Sequence, residues 1–128
     1  MTLAVGVREL WVPRRGNHPD EYEDASAAAP PKGRFALADG ATESSFAAAW
    51  ARLLVEDFVQ AAGCDFDAWK SRLPLLQKQW YASVQSPSLS WNAEAKLEQG
   101  AFATFLGITI DHASDGNPVW QATAVGDT

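Results

Sequence analysis

The chain has one cysteine, Cys64, one methionine and two histidines in 128 residues. A lone thiol cannot form an internal disulfide, so nothing calls for an oxidising compartment. His18 and His112 have no partner at metal-ligand spacing, and Cys64 has no base beside it in sequence. A histidine-based metal motif and a thiol nucleophile are therefore not indicated. No apolar run approaches the ~20 residues that a membrane helix needs. The opening "MTLAVGV" is short and is interrupted by Arg8 and Glu9, so it does not read as a signal peptide. Basic residues are few: 10 Lys and Arg stand against 16 Asp and Glu, for a net charge of -6. That balance argues against the basic face that a nucleic acid demands. A phosphate-binding glycine loop, a Gly-x-Ser-x-Gly elbow and a His-Glu-x-x-His motif are also missing. The expectation is a cytoplasmic protein with neither nucleic-acid nor membrane partners.

What is present is a hydrophobic content of 47 %, enough for one packed domain over residues 1–128. "LAVGVRELWVPR" (3–14) is rich in β-branched and aromatic residues and reads as an edge strand, given Pro13. Residues 21–28 suit a second strand, with Pro30 to Gly33 as the turn and "RFALADG" as a third. The period then changes. Phe46, Trp50, Leu53, Leu54, Phe58 and Ala61 recur at helical spacing, with Ser44 or Ser45 as the cap and Gly63 as the stop. Arg52 and Glu56 form an i,i+4 pair on the polar side of that helix.

A second helical pattern runs through Trp69, Leu73, Leu76 and Trp80, with Pro74 predicting a kink or two consecutive short helices. A third helix is expected over 92–99, ended by Gly100, and the six tryptophans read mainly as core. "AFATFLGITID" and "VWQATAVGD" read as strands joined by a turn at "SDGN". The fold class is α+β, with helices on one face of a largely antiparallel sheet.

Three acidic features adjoin expected strands: Glu23-Asp24, Asp39-Gly40 and Asp127. Each alone has an ordinary reading: a turn, a solvated face, a charge near the C-terminus. Together they suit a hard divalent cation, which takes several oxygen ligands. If the second and third strands pair, Glu23-Asp24 and Asp39 come near one another. Their carboxylates then repel unless a cation lies between them.

The ordered set adds a resemblance. "EYEDASAAAPPKGRFALADGATESSFAAAWARLLVEDF", with "LEQGAFATFLGITI" and "WQATAVGDT" after it, resembles the N-terminal portion of the metal-dependent protein phosphatases of type 2C. The resemblance implies an αββα sandwich and a hydrolase acting on phosphoserine and phosphothreonine proteins. It implies that Asp39 bridges two Mn²⁺ or Mg²⁺ ions, that the Gly40 carbonyl completes one shell, and that Glu23 and Asp24 hold metal-bound waters. It matches Asp127 to an aspartate of a third, looser metal, and implies that Arg14 or Arg15 grips the phosphate. In the family a water between the two metals attacks the phosphoester.

The sequence also departs from the family. Ala41-Thr42-Glu43 stands where a His or Met and a Gly pair usually follow Asp-Gly, so no histidine general acid is present there. Tyr22 stands where many members carry asparagine, and the later Asp-Gly and Asp-Asn motifs are not among the 128 residues. Two readings follow. One is a truncated phosphatase domain whose catalysis needs a C-terminal half. The other is a catalytically inactive, phosphatase-like regulatory or protein-binding module. Either would leave the last strand as an exposed edge for association with itself or a partner.

Overall fold

A computed structural model describes residues 4–13, 15–16, 18, 22–41, 45–61 and 65–126. Four antiparallel strands form one sheet in the order of the chain: β1 (Ala25–Ala29), β2 (Arg34–Gly40), β3 (Ala103–His112) and β4 (Pro118–Val125). Three helices lie between β2 and β3: α1 (Ser45–Gln60), α2 (Phe66–Val84) and α3 (Trp91–Gln99). The α+β class and the antiparallel sheet agree with the sequence reading. Among the described residues there is one sheet and no second sheet facing it.

β1 and β2 are joined by a turn of 3₁₀ helix at Pro30–Lys32, closed by a Gly33 N–H to Pro30 carbonyl bond of 2.9 Å. Gly33 has φ 64°, and a Cβ there would lie 2.2 Å from the Ile110 carbonyl oxygen. Both the left-handed backbone and the close approach of β3 require glycine at this corner.

β2 alternates. Arg34, Ala36, Ala38 and Gly40 point inward, while Leu37 and Asp39 point away. The inward residues of the strand's C-terminal part are small, and they meet Ala47 and Ala51 of α1, which are fully buried. Small residues on both sides let the helix backbone sit close to the sheet. Further along α1 the packing is aromatic. The Phe58 ring covers Gly107 of β3, where a Cβ would come within 2.5 Å of it. Phe105 takes Phe58 edge-on at 5.3 Å and stacks on Trp69 of α2 at 4.4 Å. A second cluster, Phe46, Trp80 and Leu97, joins the three helices. Within it the Trp80 indole N–H donates to the Phe46 carbonyl at 2.8 Å.

Asp65 caps α2 by accepting from the Ala68 N–H at 2.7 Å, and Ser90 caps α3 by accepting from the Ala93 N–H. Arg72 of α2 pairs with Asp57 of α1 at 3.0 Å. Of the caps expected for α1, Ser44 and the Gly63 stop lie outside the described residues, as does Cys64, and Ser45 is the first residue of the helix.

Two expectations are corrected. Residues 4–13 form no strand. β-propensity measures how side chains fit a pleated, half-buried surface, and here Leu10 is 96 % exposed with Trp11 and Val12 also exposed. The segment is tied down by side chains instead: Ser26 donates to the Glu9 carboxylate, and the Trp11 ring lies 5.3 Å from Tyr22. Of the two outcomes expected at Pro74, a kink or two short helices, the division is not found, since α2 runs as one helix from Phe66 to Val84. Pro74 lies on the solvent side, while Trp69, Leu76 and Trp80 anchor both halves in the core. Packing along the whole length outweighs one lost backbone bond.

Candidate functional site

The acidic residues meet because of strand register. β1 and β2 pair Ala25 with Ala38. The same antiparallel register, continued past the end of β1, sets Asp24 beside Asp39 and Glu23 beside Gly40. The second pairing is seen directly: a Cβ on Gly40 would lie 3.0 Å from the Glu23 carbonyl oxygen and 3.1 Å from the Ala47 Cβ. Gly40 thus sits close between the Glu23 backbone and α1, where a side chain would press on both. On its other side β2 pairs Asp39 with Thr104 and Gly40 with Ala103 of β3. The Ala41 N–H then bonds the Phe102 carbonyl at 2.8 Å, fixing the chain just beyond Asp-Gly.

Strand alternation points Asp39 to the face of the sheet away from the helices, where it and Asp24 are exposed. Both line a cleft of about 920 Å³. Its walls come from three sources: Arg8, Glu9 and Trp11 of the N-terminal segment, Arg52 and Glu56 of α1, and Thr104 of β3. Tyr22 stands among the carboxylates. Its phenol is pushed above the ordinary value of 10.0, first by partial burial, then by the charge of Asp24 and a hydrogen bond with it, and then by the charges of Glu9 and Asp39. The negative fields of three carboxylates therefore converge on one hydroxyl. Facing oxygen donors of this kind can hold a proton or a hard cation between them, and guanidinium groups opposite can hold an anion.

The expected site residues fare differently. Glu23, Asp24, Asp39 and Gly40 are brought together. Arg15 is exposed and is not among the residues lining the cleft. Arg14 and Asp127 lie outside the described residues. Among the described residues, no group of three His, Cys, Asp or Glu side chains converges in a geometry that could hold a metal ion. Asp24 and Asp39 are the two carboxylates that the strand register brings side by side at the cleft.

Arg8, Arg52 and Thr104 were not anticipated at the site. Arg8-Glu9 read only as an interruption of an apolar run, and Arg52 only as half of a solvated helix pair. For Arg52 the placing of α1 soon after Asp-Gly is a weak signal; Arg8 and Thr104 reach the cleft through contacts between distant segments.

No known protein family, curated protein or solved structure matches the chain.

Proposed function

We propose that the Asp24–Asp39 edge is the cation-binding part of a cytoplasmic, type 2C-like serine/threonine protein phosphatase domain. Its substrate would be a phosphoserine or phosphothreonine protein. The observation that supports this most is the continued hairpin register, which sets Glu23-Asp24 against Asp39-Gly40. Asp39 and Asp24 present carboxylate oxygens toward the cleft, and the Gly40 backbone adds a carbonyl held in place by the strand. A bound Mn²⁺ or Mg²⁺ would supply charge neutralisation and Lewis-acid polarisation of a phosphoryl oxygen. Arg8 and Arg52 offer bidentate donors to a phosphate entering the same cleft, the role expected of Arg14 or Arg15. Tyr22, held protonated over a wider pH range, keeps a donor beside Asp24 and orients that carboxylate.

A second reading, an inactive regulatory or protein-binding module, is favoured by the apolar face of the sheet, where Leu37 and Trp120 are exposed. Titrating Mn²⁺ into the protein while following its electron paramagnetic resonance signal, with p-nitrophenyl phosphate turnover measured in parallel, tests both. The phosphatase reading expects Mn²⁺-dependent turnover, with Asp39→Asn lowering Mn²⁺ affinity at least ~10-fold and abolishing activity. Mn²⁺ binding without turnover supports the binding module. Mn²⁺ affinity indifferent to both Asp39→Asn and Asp24→Asn sinks the cation site altogether.

A further inference from the structure

A donor buried without an acceptor loses its hydration and gains nothing in return. Two side-chain donors of α2 stand in that position. The Trp69 indole N–H and the Nη2 group of Arg72 are both out of reach of solvent, with no hydrogen-bond partner among the described residues. Trp69 is 2 % exposed and belongs to the cluster that holds Leu54, Val55, Phe58 and Val59 of α1.

Their places on α2 relate the two donors. Residues three apart lie on one side of a helix, a turn from each other. Arg72 also turns back along the helix: its Nη1 donates to the carbonyl of Ala68, the residue before Trp69, at 3.2 Å. Its Nε donates to Asp57 in the last turn of α1 at 3.0 Å. Two of the three guanidinium nitrogens are thereby fixed, and the third is held between α1 and the turn of α2 that carries Trp69. Trp69 is fixed as well, stacked on Phe105 at 4.4 Å with Phe66 at 6.4 Å. Neither donor reaches solvent without giving up these contacts.

The local charge says which kind of acceptor fits. A buried anion needs a cation of its own, and the charge of Arg72 is already met by Asp57. The acceptor is therefore neutral and small. A water molecule takes one hydrogen bond from each donor and returns its own hydrogens to an acceptor nearby. Asp57 supplies one, since Arg72 meets it through Oδ2 and a carboxylate accepts several bonds. Three polar partners are the usual complement of a buried water. We propose that α1 and α2 enclose one ordered water, bound by Trp69 Nε1, Arg72 Nη2 and the Asp57 carboxylate. The water turns the Arg72–Asp57 pair into a three-residue network that ties the first two turns of α2 to the end of α1.

The test is water–protein NOE and ROE spectroscopy on the nitrogen-15-labelled chain, read at the indole hydrogen of Trp69. Trp69→Phe identifies that signal by removing it. A water held longer than the tumbling time of the protein gives NOE and ROE cross-peaks of opposite sign, and wild type is expected to show them. Arg72→Met takes away the second donor and is expected to weaken the cross-peak at least ~3-fold. The remaining tryptophan indole signals report whether that variant is folded. Ser71 donates to the same Ala68 carbonyl and is the nearest hydroxyl that could relay exchange, so Ser71→Ala is expected to leave the cross-peaks in place. Wild type without cross-peaks of opposite sign overturns the proposal, as does a signal unchanged in a folded Arg72→Met or lost in Ser71→Ala. A crystal structure in which a backbone carbonyl of residues 62–64 accepts from Trp69 Nε1 overturns it in favour of an acceptor within the chain.

Discussion

The two faces of the sheet are built on opposite plans, and β2 shows both within three residues. Ala36 and Ala38 are 3 % and 4 % exposed beneath α1, while Leu37 between them is 57 % exposed. The small residues are inside and the large one is outside. Burial on the helix side depends on close approach: alanine and glycine bring the α1 backbone down to the strands, and Phe58, Phe105 and Trp69 fill the space further along. The other face carries bulkier aliphatic side chains and an acidic corner at Asp24 and Asp39, and among the described residues the N-terminal segment lies across it. Hydrophobicity by itself does not say which face is core. The size of the residues that face the helix does.

The largest effect that would break this contrast comes from the packed face. Phe58→Ala removes the ring that covers Gly107 and meets Phe105, and is expected to cost about 3–5 kcal/mol in urea unfolding. A loss under about 1 kcal/mol would mean that the helix side is not the core. Next in size is Trp80→Phe, which keeps a ring but removes the donor to the buried Phe46 carbonyl. A loss of about 1–2 kcal/mol is expected by the same measurement.

On the open face, Leu37→Thr should change stability by no more than about 0.5 kcal/mol, because the leucine is already largely in water. A larger loss would show that something covers this face in solution. The finest distinction concerns Tyr22. Its phenol is raised, so whatever it contributes to stability is present below the ordinary tyrosine value near 10.0 and is lost as pH rises through the higher folded-state value. Asp24→Asn removes the charge and the strongest acceptor beside it, so its ultraviolet phenolate titration should move down toward the ordinary value. An unmoved titration would mean that Asp24 and Tyr22 do not meet.

Much of the fold was legible because its signals are local. The 3.6-residue recurrence from Phe46 to Phe58 marks α1, the Pro30-Pro31-Lys32-Gly33 turn marks the first hairpin, and Gly100 marks the end of α3. The N-terminal segment was not legible, since its β-branched residues describe a strand only if a neighbouring strand pairs with them. That α2 would not divide at Pro74 was hidden for a similar reason: the rule against mid-helix proline is local, and the anchoring by Trp69, Leu76 and Trp80 is not. At the site, Glu23-Asp24 and Asp39-Gly40 could be picked out as residue types, but their meeting depended on a register that residue types alone do not specify. Arg8 lies far from Asp39 in sequence, and no spacing rule links it to the acids.

By itself, then, the sequence determined the inventory and the local elements: an acidic, cysteine-poor chain, three helical segments, hairpin strands, and carboxylates at strand ends. Those follow from backbone preference and side-chain chemistry acting over a few residues. Only the tertiary structure decided that Asp24 faces Asp39, that Glu23 closes on Gly40, that the N-terminal segment carries Arg8 to the same cleft, and that β4 ends the described sheet. Each of these rests on contacts between distant segments, where register and close packing decide what meets what.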